Sequence, residues 1–291
     1  MKTRMVLALV IALASGVIMT VQAAGFIVYD ATHHRGKPDL TPYGMQPIKV
    51  VYEGELFGDN RAPNAFPTAA AIERVARNAA AHRQIVVLDV ERWIWTSGHV
   101  DRYVDLARRF NAISPQVDMG YYGTVPKRDY WRARKGGSDP EYLAWQRENE
   151  RLRPIVAEVD ALYPSLYTFY DYRPGWVEYA QANIRQARRL AGGRPVYAFL
   201  WFTYHDSNPD LRGKAIPRKF WRLQLETLRS IADGVVIWGG GTWDENAPWW
   251  VETRRFLATL QRDNLAGGKT ATEPTDVQVE AVALPRHSTP R

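Results

Sequence analysis

The 291-residue chain contains no cysteine. Disulfides, thiolate metal sites, a cysteine nucleophile and a lipidated-cysteine anchor are therefore excluded, and stability must come from a large core. Histidine is sparse as well. The six, at 33, 34, 82, 99, 205 and 287, form no spaced metal motif with one another or with an acid, and the adjacent pair His33 and His34 must point in different directions. No metal is expected. A Gly-rich nucleotide loop is also missing, because Gly239-Gly240-Gly241 is not followed by a helix start at phosphate-binding spacing; glycine there lets backbone pass close to a ligand or a neighbour. With no internal repeat and no interior Pro/Gly/Ser linker, the chain reads as one domain.

Long apolar runs are absent except at the start. Lys2 and Arg4, an apolar stretch over 5–18, and small residues at Val21 and Ala23 have the tripartite form of a secretory signal over 1–23. An uncleaved anchor is the alternative, but the stretch is shorter than the ~20 residues a spanning helix needs. The expectation is a secreted or periplasmic protein starting near Ala24, with no membrane partner after cleavage. Loss of Lys2 and Arg4 takes the net charge from +7 to +5. That moderate basic excess suits anionic partners, acidic polysaccharide among them, and gives no reason to expect nucleic acid. Eleven tryptophans and fifteen tyrosines are a more telling surplus, since their rings cover the apolar faces of sugars, although many must be core. The polar tail over 267–291, with Pro, Thr and Ser and no apolar period, reads as disordered.

Between these ends, apolar runs alternate with amphipathic segments. Strands are predicted at 26–30, 48–52, 85–88, 117–123, 161–167, 195–202 and 234–238. Helices are predicted at 68–81, 100–113, 139–159 (capped by Ser138 and interrupted near Pro154), 176–190 (stopped by Gly192 and Gly193), 218–231 and 247–261. His33, His34 and Arg35 fall in a polar loop. Strand–helix alternation of this kind predicts a TIM-like (β/α) barrel of seven to eight strands over 24–266, with a doubly wound open sheet as the alternative.

The stretch Ile85-Val86-Val87-Leu88-Asp89-Val90-Glu91-Arg92-Trp93 carries the chemistry. Its aliphatic run is the pattern of a strand buried on both faces, and it ends in two acids one residue apart. Side chains alternate along a strand, so Asp89 and Glu91 share a face, with Cα atoms roughly 6 to 7 Å apart. Carboxylates that close, beside Trp93 and Trp95, should have their pKa values driven apart, which acid-catalysed glycoside cleavage requires. The structural alternative is that Asp89 caps the loop and Glu91 pairs with Arg92 or another arginine.

Several segments in this order resemble the animal hyaluronidase family, including the venom and mammalian enzymes. They are Asp89-Val90-Glu91-Arg92-Trp93, Gly120-Tyr121-Tyr122-Gly123, Ala161-Leu162-Tyr163-Pro164-Ser165-Leu166-Tyr167, Phe202 through Asp206, and Val235-Val236-Ile237-Trp238. Val90 stands where that family has tryptophan between the acids. The resemblance implies an endo-β-N-acetylhexosaminidase that retains configuration through substrate assistance and needs no cofactor. It makes Glu91 the general acid and base, and Asp89 the group that orients the substrate's acetamido. Tyr122 and Tyr167 would hydrogen-bond near the anomeric centre and Trp238 would wall the pocket, with Trp93, Tyr204 and Asp206 as further substrate-binding candidates. The implied partner is a polysaccharide that contains amino sugars or is acidic. Two other readings stay open: a barrel hydrolase in which Asp30, Glu53 or Asp206 supplies a different second carboxylate, and a silent barrel that binds polysaccharide during export of a surface glycan.

Overall fold

The computed structural model describes residues 25–93 and 97–265. The expected signal over 1–23, the tail over 267–291 and Trp95 lie outside the described residues. The strands are β1 (Ile27–Arg35), β2 (Gln46–Pro47), β3 (Lys49–Tyr52), β4 (Val86–Asp89), β5 (Met119–Tyr121), β6 (Tyr197–Trp201) and β7 (Gly234–Thr242). Every ladder among them is parallel. Ile48 alone separates β2 from β3, so the two act as one staggered strand that pairs with β1 at one end and with β4 at the other. Single bridges, Tyr122 with Tyr163, Leu162 with Val196 and Ser165 with Phe199, carry the sheet from β5 across the extended segment 161–168 to β6. β6 pairs with β7, and β7 returns to β1. The ring closes on seven strand positions, and the fold is a TIM-like (β/α) barrel.

Alternation along each strand builds two cores. Val86, Leu88 and Val90 face the helix layer with Leu162, Leu200, Val235 and Ile237, whereas Val87, Tyr163, Phe199 and Val236 fill the barrel interior. Burying both faces explains why these strands read as unbroken apolar runs.

The helices are α1 (Glu53–Phe57), α2 (Ala69–Ala81), α3 (Ser97–Ile113), α4 (Pro140–Glu150), α5 (Arg153–Val156), α6 (Arg173–Ala191), α7 (Arg218–Ile231) and α8 (Pro248–Leu265). α2 starts where Thr68 Oγ1 accepts a hydrogen bond from the Ala71 N–H at 3.2 Å, and it buries Ile72, Val75, Ala76 and Ala79, the stripe its sequence shows. Gly192, in the left-handed conformation, ends α6.

Three sequence expectations need correction. The interrupted helix expected over 139–159 is capped by Asp139, which accepts from the Glu141 N–H at 2.8 Å, rather than by Ser138. Its break falls at residues 151–152, so Pro154 lands in the first turn of α5, where a missing N–H is harmless. β1 continues to Arg35, so His33 and His34 lie on a strand instead of a loop. They pair with Gly240 and Gly241 of β7, which extends to Thr242. The close approach anticipated at these glycines is found at Gly239: its φ is +141°, and a Cβ there would sit 2.4 Å from the Phe202 ring.

Candidate active site

Strand parity decides what reaches the mouth of the barrel. The inward positions at the C-terminal ends are Asp89, Tyr122, Tyr167, Trp201 and Trp238, and with Glu91 they line one cavity of about 180 Å³. Arg128, His205 and Asp206, from the loops after β5 and β6, complete its wall. A second cavity of about 140 Å³ adjoins it and shares Glu91, Tyr122 and Arg128; Thr124 and Ser165 line only this second one. Glu91, exposed, therefore stands between two hollows. Asp89 faces only one of them.

The two acids differ in surroundings. Asp89 is largely buried, and its Oδ1 has no hydrogen-bond partner. Burial, then the charges of Glu91 and Glu53, push its carboxyl up to about 7. Arg92 does not pair with Glu91. It turns to Glu53, whose Oε2 accepts from Arg92 Nε at 3.0 Å while Oε1 accepts from the Glu91 and Arg92 N–H groups at 3.0 and 2.7 Å. Burial raises the Glu53 carboxyl, but the hydrogen bonds from Arg92 outweigh it and leave Glu53 below its ordinary range. Glu53 is thus an ionised clamp on the strand end that presents Glu91.

The aromatic wall is cross-linked. Tyr122 OH lies 3.0 Å from Ser165 Oγ, which also accepts from Arg128 Nη1 at 3.1 Å. The Tyr122 and Tyr167 rings lie tilted against each other with centroids 5.8 Å apart. Burial pushes the Tyr122 hydroxyl up to about 12, so it stays protonated as a donor. Tyr167 stacks on Trp238 at 5.9 Å, and Trp201 meets Trp238 edge-on at 5.1 Å. Trp238 Nε1 donates to Tyr52 OH at 2.8 Å, and Tyr52 OH lies 2.6 Å from His33 Nε2. Trp238 is thereby held by its own polar edge, with its ring left to the cavity.

The His205 ring is held by Ser207. Its Nδ1 accepts from the Ser207 N–H at 3.1 Å, which leaves the ring proton on Nε2. Burial, then Arg128, lowers its pKa against the opposing effect of Asp206.

Of the candidates from the sequence, Asp89, Glu91, Tyr122, Tyr167, Trp238 and Asp206 come together. Tyr204 does not. It takes the outward parity of Phe202, is buried against the helix layer, and donates from its hydroxyl to Asp171 Oδ1 at 2.7 Å. Trp93 is 1% exposed; its Nε1 donates to the Ala65 carbonyl at 3.0 Å and its ring packs against Phe66 and Tyr103, so it only floors the smaller cavity. Two alternative carboxylates are engaged elsewhere, Asp30 with Lys37 at 2.6 Å and Glu53 with Arg92. Arg128, Trp201, His205 and Ser165 were not singled out from the sequence. Trp201 and Ser165 had a signal, their shared parity with Phe199 and with Tyr163 and Tyr167; Arg128 and His205 depend on loop paths that periodicity does not encode.

No family model and no curated protein matches the chain. Solved structures do. Bee venom hyaluronidase in a monoclinic crystal matches with a TM-score of 0.54 at 15% identity, over 81% of this chain and 97% of that one. Bee venom hyaluronidase in complex with a hyaluronic acid tetramer gives 0.55 at 15% identity, over 81% and 96%. This chain has the barrel of those structures. An endo-1,4-beta-D-mannanase from Thermotoga petrophila is a looser match, with a TM-score of 0.45 at 10% identity over 81% of this chain and 99% of that one. At such identities the likeness is one of fold, and function rests on the residues at the mouth.

Proposed function

We propose that this chain is an exported glycoside hydrolase that cleaves β-linked N-acetylhexosamine-containing polysaccharide with retention, using the substrate's own acetamido group. One observation carries the reading: Asp89, with a buried unpartnered carboxylate oxygen, faces the cavity on one side of Glu91, while a second cavity opens on the other. A glycosidic oxygen placed at Glu91 would have an amino sugar on the Asp89 side and the leaving sugar on the Ser165 side. Export rests on residues 1–23 alone.

The chemistry then runs in two steps. The acetamido carbonyl oxygen attacks the anomeric carbon as Glu91 gives its proton to the departing oxygen; the C–O bond to the leaving sugar breaks and a cyclic oxazolinium forms. Glu91 next takes a proton from water, whose oxygen opens that ring and restores the β configuration. Asp89 accepts the acetamido N–H, which favours its ionised form. Tyr122 and Tyr167 stand as hydroxyl donors beside the reacting centre, with Trp238 under the sugar ring.

Asp206 gives a second reading specific support, because it lines the same cavity as Glu91 and could act as a separate carboxylate across it. Reducing-end release over hyaluronan, chondroitin, chitooligosaccharides and bacterial amino-sugar polymers decides. Cleavage lost in Glu91→Gln and Asp89→Asn but kept in Asp206→Asn supports substrate assistance. Loss in Asp206→Asn with Asp89→Asn active would transfer the role to Asp206, and no cleavage by the unmutated chain would reject the hydrolase.

A further inference from the structure

Among the described residues five large apolar side chains are exposed, and three of them, Trp131, Tyr170 and Tyr172, at 61%, 39% and 47%, lie together. They come from the loops that follow β5 and the segment 161–168, hence from the same end of the barrel as Asp89 and Glu91. Trp131 and Tyr170 have ring centroids 5.5 Å apart, and Tyr130 supports both from beneath at 5.0 Å. The Arg134 guanidinium lies 5.9 Å from the Trp131 ring and 5.6 Å from the Tyr172 ring, joining the two.

These rings are fixed rather than loose. The backbone of Trp131 donates to Asp129 Oδ1 at 3.0 Å, and Arg132 ties Asp129 to Glu148 of α4. Tyr172 is seated on Gly175 so closely that a Cβ there would meet its ring at 2.4 Å. Holding three rings rigid with their faces in water forgoes burial free energy, and a contiguous exposed apolar patch of this kind marks a binding surface. The patch is also continuous with the cavity. His205 on the cavity wall contacts Phe169 at 4.8 Å, and Phe169 contacts both Tyr170 and Tyr130.

We propose that Trp131, Tyr170 and Tyr172 form a distal subsite on which the apolar face of a sugar ring stacks, several residues along the polysaccharide from the bond being cut. The identity of the occupant rests on the hydrolase reading above, since a chain entering the Asp89 cavity past His205 is led onto these rings. Such a subsite makes the protein a binder of long chains and directs cleavage to their interior.

Affinity electrophoresis tests this with the mature chain carrying Glu91→Gln, so that the gel polymer survives. Native gels would contain hyaluronan, chondroitin, a soluble chitin derivative or mannan, and the same protein would be run with Trp131→Ala, Trp131→Phe or Tyr172→Ala added. The expected result is retardation by at least one polymer, weakened about tenfold by Trp131→Ala and largely restored by Trp131→Phe. In the cleaving chain, Trp131→Ala should raise KM for that polymer by a similar factor and leave kcat/KM on a short oligosaccharide within about twofold. Equal retardation with and without Trp131 overturns the subsite and leaves the hydrolase standing. Trp131-dependent retardation with no cleavage by the unmutated chain keeps the subsite and rejects the hydrolase. Retardation by none of the polymers overturns the proposal, and Trp131-dependent self-association in sedimentation velocity would then assign the rings to a contact between copies.

Discussion

Asp89 ends β4 with one carboxylate oxygen buried and unpartnered, so ionising it in the folded chain costs free energy that the unfolded chain does not incur. Its folded pKa, about 7, lies above the ordinary aspartate value of 3.8. Between those values the native state holds a proton that the unfolded state has lost, so this group lowers stability as pH rises and has no further effect above about 7. Asp89→Asn should therefore match the parent near pH 4 and exceed it by about 4 kcal/mol at pH 8, read as a difference in urea unfolding free energy. An equal gain at both pH values would place the effect in packing rather than ionisation. Glu91→Gln, at an exposed position, should leave the urea midpoint in place while kcat on the cleaved glycan falls at least about a thousandfold. Strand parity made this pair legible, since an acid two residues from another on a buried strand has one face to share. It also shows why Tyr204 was misplaced: similarity of segment order carries no parity, and Tyr204 falls on the outward side.

Elements fix where those acids point. The chain beyond β4 is held by Glu53 at the start of α1, which accepts the Glu91 and Arg92 N–H groups and pairs with the Arg92 guanidinium at 3.0 Å. Glu53→Gln keeps the shape and removes the charge that anchors three donors. It should lower kcat about tenfold with KM little changed, because Glu91 loses its fixed placement, and should cost about 1 kcal/mol of stability in urea unfolding. A rise in KM alone would mean that Glu53 touches substrate instead. The clamp joins residues 38 apart, and nothing local in the sequence announces it. The same limit explains the edges of the strands. Val-Val-Leu and Val-Val-Ile runs gave β4 and the start of β7 because both faces are buried, whereas His33 to Arg35 became strand only because β7 runs alongside them. At 161–168, Pro164 cannot donate to a ladder, and the segment stays extended on isolated bridges; that irregularity lets Ser165 meet both Tyr122 and Arg128.

Closure of the whole barrel depends on β7 returning to β1, and α8, which follows β7, must pack on α7 for the ring of helices to continue outside it. Glu252 makes that joint. Its side chain is 1% exposed, yet Oε1 accepts from Arg218 Nε at 2.9 Å and Arg255 Nη1 at 3.1 Å, and Oε2 from Arg222 Nη2 at 2.6 Å. Burial acts to raise this carboxyl, but the hydrogen bonds from Arg222 and Arg218 prevail and hold it below the ordinary glutamate range. The consequence is opposite in sign to that at Asp89. The unfolded chain binds the proton first as pH falls, so the contribution of Glu252 is complete above about pH 5 and disappears as pH drops through its folded value. Glu252→Gln should cost about 2 kcal/mol at pH 7, less than a fully buried pair would lose because the three arginines are half-exposed and can regain water. Measured against the parent by urea unfolding, that cost should shrink as pH falls from 5 toward 3; a cost independent of pH would show that shape, and not charge, joins α7 to α8.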